Sequence, residues 1–383
     1  MLMGLARLAG KVYHETDLQH INDALLARLQ ADENDAEAWL DLSILALLRF
    51  QHELAGQARR VALSLRNQYT LPAVKPQRLT LLALLAPGDL MANTPLEFLL
   101  ENSAITLHLL YLRTLDDLNP APDHDVLFVA VGQSDQNRPL LESLVERLRQ
   151  WPRPVINRPE HILQTGRDSA YTLLADIPGL LIPETVRLHR SQLEPLVATF
   201  NAPLIMRPVD SHAGRDLAKV DDVSGLRTYL EALPAEWLYV SPFINYAGPD
   251  GLFRKYRIVL LDTRSYAGHL AVSEHWMVHY LNAGMTTSAS KRAEEARFMQ
   301  NHDSDFARRH GDVLAAIMRR TRLDYLILDC AELNDGTLLL FEMDTSAVVH
   351  DMDHGEHFAY KQAPMQRLFE AFQAFLLERA VPI

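Results

Sequence analysis

The sequence is nearly devoid of cysteine. Cys330 is the single one among 383 residues, so no disulfide can form within the chain and no cysteine-based zinc site exists. Its place in an apolar run reads as a buried thiol, not a nucleophile. No window is long and apolar enough to span a membrane. The N-terminal MLMGLARLAGKVYHETD has neither the apolar length nor the small-residue cleavage pattern of a secretory signal, so the expected location is the cytoplasm. Basic charge is short as well. The 37 Lys and Arg residues face 49 Asp and Glu, a net charge of −12, which disfavours nucleic acid as a partner.

What is present divides into three stretches. Hydrophobic residues make up 48% and charged residues 22%, the balance of a soluble globular chain, and the length suits two or three domains. Residues 1–118 read as helices. Ile21, Leu25, Leu26 and Leu29 repeat at helical spacing. An acidic, capped start near Asn34 or Asp35 predicts a helix over Trp39 to Phe50, followed by another over Ala55 to Leu65. Further helices are expected over Pro76 to Leu85, Leu96 to Leu100 and Ile105 to Leu115. The Trp39 helix pair resembles one tetratricopeptide unit, a family with a repeat of about 34 residues. That resemblance implies a protein partner or self-association through these helices; a plain helical cap is the other reading.

The Asp- and Pro-rich DLNPAPDHD marks a boundary near residue 119. From there to about 190 the grammar is β/α. VLFVAV predicts a buried strand over Val126 to Val131, followed by a helix over Leu140 to Gln150 and a short strand at Pro154 to Asn157. This small βαβ unit carries no GxGxxG, so the dinucleotide fingerprint is missing. Residues 191–383 are expected to form the last domain. It has strands at Leu204–Met206 and up to Val220, another over 238–244, and a hairpin of Tyr256–Leu261 with Tyr266–Val272. A helix over Glu294 to Arg320 precedes a second hairpin, and a final helix covers Pro364 to Leu377.

That second hairpin, DYLILDCAELNDGTLLLFEMDTS, carries the chemistry. A two-residue turn at Asp335-Gly336 sets Leu333 opposite Leu338 and Asp329 opposite Glu342. Side chains alternate along a strand, so Asp344 shares the face of Glu342. Like charges placed opposite each other repel. A hard cation such as Mg2+ among Asp329, Glu342 and Asp344 would relieve this and accept their oxygens. The alternative is a solvated sheet face with scattered acids.

From about residue 123 onward, the order of elements resembles the ATP-grasp superfamily on its glutathione synthetase and RimK-like side. The matching pieces are the βαβ unit, NRPEHILQTGRDSAYTLL, GLLIPET, the Arg207-Pro208 strand end, the FRKYRIVLLD strand and the Glu-x-Asp close. The fold class implied is α+β (α/β), with a βαβ pre-ATP-grasp domain preceded by an all-α N-terminal region. The resemblance implies ATP and Mg2+ (or Mn2+) as cofactors. Arg167 and Arg207 stand where relatives usually have phosphate-binding lysines. Ser211, His212 and Gly214 lie in the phosphate-covering loop. Ser241, Pro242, Phe243 and Ile244 form the adenine-reading hinge. The resemblance further implies that Arg257 faces the reacting phosphate and that Asp329, Glu342 and Asp344 are the metal ligands, the last usually Asn in relatives.

The chemistry implied is ATP-dependent activation of a carboxylate as an acyl phosphate and its transfer to an amine, a ligase making an amide-type bond. No covalent enzyme nucleophile is needed, in keeping with the lack of a Ser-His-Asp or Cys-His set. Lys255, His269, Trp276, His279, Tyr280 and His350 are the candidates for contact with the small carboxylic acid and amine. A zinc site on His275 and His279, or among His350, His354 and His357, is the alternative for the histidines. Two other readings remain open: a helical-repeat scaffold that senses nucleotide without turnover, and a small-molecule kinase.

Overall fold

The structure, a computed structural model, describes residues 1–14, 18–193, 203–211, 214–353 and 355–380, without the side chain of Leu281. The chain forms two compact units. Unit 1 comprises Met1–Ile162 with Thr345–Ile383, and unit 2 is Leu163–Asp344.

Unit 1 begins with four helices: α1 (Leu5–Tyr13), α2 (Leu18–Ala31), α3 (Ala36–Leu48) and α4 (His52–Leu65). The start of α3 is fixed as the sequence predicts. The Asp35 carboxylate accepts the Ala38 N–H at 3.0 Å and the Arg28 Nε–H at 2.9 Å, so one side chain caps the helix and ties it to α2. Leu25, Ala38, Leu45 and Ala58 are buried where these helices pack.

The helices expected over 76–85 and 105–115 are strands instead. They are β2 (Leu79–Leu85) and β3 (Ile105–Tyr111), which join β1 (Gln68–Leu71), β4 (Val126–Val129) and β5 (Val155–Ile156) in a sheet of order β1-β3-β2-β4-β5. β2 to β5 run parallel and β1 is antiparallel to β3. The physical reason is burial on both faces. Every residue of LTLLALL except Thr80 is buried. Such a strand reads as a continuous apolar run with no period of two, and leucine is itself a good helix former. The expected βαβ unit is thus the far side of a five-stranded sheet. The short α5 (Leu96–Leu99), then α6 (Arg138–Leu148) and α7 (Pro159–Ile162), complete the first segment. The chain's last helix, α13 (Ala359–Ala380), returns to unit 1, where the Phe372 ring lies 6.1 Å from that of Phe128.

Unit 2 contains α8 (Arg167–Leu174) and two sheets. One has the order β7-β10-β8-β9, built from β7 (Val186–His189), β8 (Leu204–Pro208), β9 (Ala218–Val220) and β10 (Trp237–Pro242); α9 (Val223–Ala232) follows β9. The other has the order β12-β11-β13-β14-β6, from β6 (Leu180–Leu181), β11 (Phe253–Leu261), β12 (Arg264–Ser273), β13 (Tyr325–Glu332) and β14 (Leu338–Asp344). The long helix expected over 294–320 is broken into α10 (Ala289–Asn301), α11 (Phe306–Arg309) and α12 (Gly311–Thr321). The break falls at Asn-His-Asp-Ser-Asp, whose short polar side chains favour turns; the Ser304 N–H donates to the Asn301 carbonyl at 3.1 Å.

The β13–β14 hairpin departs from its predicted register near the turn and regains it at the acids. Its loop has three residues, Asn334, Asp335 and Gly336, not two. The Gly336 N–H donates to the Leu333 carbonyl at 2.9 Å, and Gly336 takes φ +85°. Leu338 therefore faces Glu332 rather than Leu333. A bulge then adds Phe341 to one strand, so that Asp329 does face Glu342. A second bulge lies between β11 and β12, where Arg257 pairs with His269 and Ile258 with Ala267. Gly268 is the extra residue. A Cβ there would stand 3.0 Å from both Cγ and the carbonyl O of Arg257.

Candidate functional site

The two bulges bring four side chains into one row across neighbouring strands of unit 2: His269, Arg257, Asp329 and Glu342. At its centre Asp329 is only 2% exposed. Arg257 donates through Nε to Oδ1 at 2.8 Å and through Nη2 to Oδ2 at 2.9 Å. Lys255, two residues earlier on the same face of β11, donates to Oδ2 at 3.0 Å. Burial pushes the Asp329 carboxyl up, but Arg257 and then Lys255 outweigh it and hold the group well below the usual carboxylate range. The fork-on-carboxylate geometry orients Arg257 as well as neutralising Asp329.

Glu342 takes its partner from another element. Arg167, the first residue of α8, donates through Nη2 to Glu342 Oε2. Burial raises the glutamate, yet Arg167, Arg207 and Lys255 bring it below its ordinary value. Arg207 on β8 is 8% exposed. It donates through Nε to Ser211 Oγ at 3.1 Å and through Nη2 to the Ser211 carbonyl. Among the described residues no carboxylate forms an ion pair with it. Burial and the neighbouring Arg167 bring Arg207 down to about 10. Asp344 lies two residues beyond Glu342, opposite Ile327, and its field reaches Arg257.

The three acids were expected to repel one another unless a metal ion stood among them. Two of the acids have cationic partners in the structure: Lys255 and Arg257 stand on Asp329, and Arg167 on Glu342. Among the described residues no three His, Cys, Asp or Glu side chains stand together as ligands for a metal ion. The donor chemistry nevertheless suits a hard divalent cation, since carboxylate oxygens are what Mg2+ takes. To bind one, Asp329 and Glu342 must exchange their present partners.

The remaining predicted residues fall into place unevenly. Ser241 and Pro242 end β10, paired with Ile205 and Leu204. Beyond them the Phe243 N–H donates to the Pro203 carbonyl at 3.0 Å, and Ile244 packs beside Tyr246. Trp276 meets Phe243 edge-on at 5.7 Å. The His269 ring lies 4.8 Å from that of Tyr280. The Tyr280 hydroxyl donates to Glu295 Oε2 at 2.9 Å, so this tyrosine is tied to a buried acid. His279 is held in its neutral form, because burial, then Lys255 and Arg257, lower its imidazole. His275 and His279 share no helical face; their segment is irregular. Gly214 takes φ +73°, and His212 lies outside the described residues. His350 belongs to unit 1, where its ring packs against Tyr13 and Phe98.

Two residues of the site escape the sequence. Lys219 on β9 places its Nζ 4.8 Å from the Phe243 ring centroid. Strand alternation between Ala218 and Val220 is the signal that could have singled it out. Glu295, fully buried, also accepts the Leu270 N–H at 3.2 Å. It shares only an i, i+4 spacing with buried Met299 to separate it from Glu294.

No known family's sequence profile matches the chain. Among solved structures, the chain is similar to a RimK-domain ATP-grasp protein from Sphaerobacter thermophilus, at 14% identity over 77% of this chain and 99% of that one, TM-score 0.43. It is also similar to the VanG D-Ala:D-Ser ligase of Enterococcus faecalis, at 14% identity over 80% and 100%, TM-score 0.48. A third is a D-alanine–D-alanine ligase of Bacillus anthracis complexed with ATP, at 12% identity over 79% and 99%, TM-score 0.45.

Proposed function

We propose that the protein is an ATP-dependent ligase that activates a carboxylic acid as its acyl phosphate and transfers the acyl group to an amine, with unit 2 holding the nucleotide. The observation that carries this reading is Arg207. It is a buried guanidinium beside a second arginine with no carboxylate partner of its own among the described residues. Burying a charge without an ion pair is costly, and the field of Glu342 offsets burial and Arg167 only in part, so such a group is expected to face an anion that arrives from outside. Arginine can contact phosphate through two N–H groups at once.

A carboxylate does not transfer to an amine unaided, because its oxygen is a very poor leaving group. In the proposed reaction a carboxylate oxygen forms a bond to the γ-phosphorus and ADP leaves. The amine then attacks the acyl carbon, inorganic phosphate leaves, and the amine's proton passes to the neutral imidazole of His279. Arg167 and Arg207 would hold the phosphate oxygens, and Arg257, braced by Asp329, would face the transferring group. What Mg2+ or Mn2+ supplies when bound by Asp329, Glu342 and Asp344 is neutralisation of charge on those oxygens.

The test is ADP release by the full chain over a panel of carboxylic acids and amines, with and without divalent cation, alongside thermal shift with ATP. ADP formation that requires both an acid and an amine supports the ligase. Absence of any nucleotide-dependent shift overturns the reading. A second reading, nucleotide sensing without turnover, is favoured by the existing pairing of Asp329 and Glu342. It is supported if ATP stabilises the protein but no member of the panel releases ADP.

A further inference from the structure

Helix α4 and the turn before it carry an apolar stripe on their outer side. The inner side of α4 is taken up within unit 1, where Ala55, Ala58, Ala62 and Leu63 are buried. On the outer side Leu54, Val61 and Leu65 follow at helical spacing and are exposed to 43%, 37% and 40%, while Phe50 is exposed to 81%. At 1.5 Å of rise per residue the stripe runs about 22 Å, the whole length of the helix. Scattered single hydrophobic residues on a surface need no explanation, but four along one short element do.

Phe50 stands where a glycine is usual. The Gln51 N–H donates to the Ala46 carbonyl at 2.9 Å and the Phe50 N–H to the Leu47 carbonyl at 3.0 Å, which closes α3 in a Schellman motif. The residue after the cap of such a motif is left-handed, and Phe50 takes φ +60°. A bulky side chain is strained in that region and glycine is not. So exposed a ring gains little from its own chain in return. Strain kept at an exposed position points to a residue held for what it binds.

The spacing says what that is. The stripe is symmetric about the point midway between Gln57 and Ala58: Leu54 and Val61 stand equally far from it, as do Phe50 and Leu65. A second α4 laid antiparallel across the first sets Leu54 against Val61 and Phe50 against Leu65, each contact made twice, as a two-fold axis requires. The charges beside the stripe obey the same symmetry. Glu53 and Arg60 are exposed, opposite in sign and seven residues apart, on one flank of the helix. Neither forms an ion pair among the described residues. Glu53 accepts from Gln57 Nε2 at 3.2 Å, and Arg60 Nη1 lies 3.5 Å from where a Cβ on Gly56 would stand. In the antiparallel pair Glu53 of one copy falls within two positions of Arg60 in the other, about 3 Å along the axis.

We propose that the chain pairs with a second copy of itself through α4, antiparallel about a two-fold axis, with Phe50, Leu54, Val61 and Leu65 as the apolar contact and two Glu53–Arg60 ion pairs along its edge. One helix from each copy buries less than the roughly 1,200 Å2 of a standard interface, so the dimer is transient, with a dissociation constant on the order of 10–100 μM. The inference stands apart from the ligase reading, because every group it uses lies in unit 1.

The test is sedimentation velocity of the full chain at concentrations up to about 500 μM, above the expected dissociation constant. A concentration-dependent dimer is expected. Phe50→Gly should weaken it by about ten-fold or more. At low concentration the same variant should melt no lower than the unaltered chain, because glycine relieves the left-handed strain. Glu53→Arg and Arg60→Glu each set like charges across the axis, and each should weaken the dimer by about ten-fold or more. Mixed together, the two charge variants have complementary edges and should pair as tightly as the unaltered chain does with itself. The proposal is overturned if the unaltered chain stays monomeric throughout, which would leave the stripe to a different protein. It is equally overturned if Phe50→Gly dimerises undiminished, or if the two charge variants fail to pair when mixed, which would place self-association elsewhere on the chain.

Discussion

Arg257 and Asp329 stand directly opposite each other on adjacent strands and share two hydrogen bonds, at 2.8 and 2.9 Å. Loss of Asp329 would strand both Arg257 and Lys255, whereas loss of Arg257 would leave the acid with Lys255. Asp329→Ala is therefore expected to destabilise the protein by about 3–5 kcal/mol, the usual result of breaking a buried ion pair from one side. Urea denaturation followed by the fluorescence of Trp237 and Trp276 reads this directly. A cost under about 1 kcal/mol would show that the pair is not buried in solution.

Arg207 predicts the opposite sign. It is a buried cation without a carboxylate partner among the described residues, so Arg207→Met should leave the free protein as stable as before or more so, on the order of 1 kcal/mol. The same change should abolish stabilisation by ATP. Thermal melts with and without nucleotide separate the two effects. A variant that is less stable yet still responds to ATP would contradict the role proposed for this residue.

Gly268 tests the bulge. Its missing side chain leaves Arg257 its place, and Gly268→Ala should push that arginine away at a cost of about 1–3 kcal/mol. Gly311→Ala is the control, because a Cβ there meets nothing within 4 Å and the position begins α12. The control should be neutral or slightly stabilising. Paired melting curves decide the matter.

Unit 1 should become less stable as pH rises through the neutral range. Burial lifts Asp41 to about 6 and Glu97 to about 7, above the values these groups have in an unfolded chain. Folding therefore favours their protonated forms. The associated stability is fully present below about pH 4 and is lost as pH rises through about 6 to 7. Their surroundings include Arg7, Arg28 and Glu37. Glu97→Gln should flatten the dependence between pH 5 and pH 8 by on the order of 2 kcal/mol, measured by urea denaturation at the two values. An unchanged slope would count against burial of that carboxyl.

The hairpin acids were legible because turn residues and strand alternation are local signals. Asp329 faces Glu342 as expected, although the path differs: a loop one residue longer and the Phe341 bulge cancel. β2 and β3 were illegible for an equally local reason. A leucine run buried on both faces has no period to read, and its strand character comes from neighbours distant in sequence. The partners of the acids were hidden too. Nothing local announces that Arg167 will meet Glu342, or that Arg59 and Glu97 will line one cavity. The resemblance supplied the places of Arg167 and Arg207. It did not supply the pairing of Lys255 and Arg257 with Asp329, which sets two cations against the acid where repulsion was expected.

Unit 1 is written in two separated segments, with all of unit 2 between them. Phe128 packs against Phe372, a residue of α13, so the hydrophobic surface around β4 has no cover until the final helix has been made. During synthesis the ribosome must deliver every residue of unit 2 before that surface closes. A chain cut short ahead of α13 therefore retains the whole of unit 2 but leaves the Phe128 face of the other unit open to water, a ready target for chaperones and proteases.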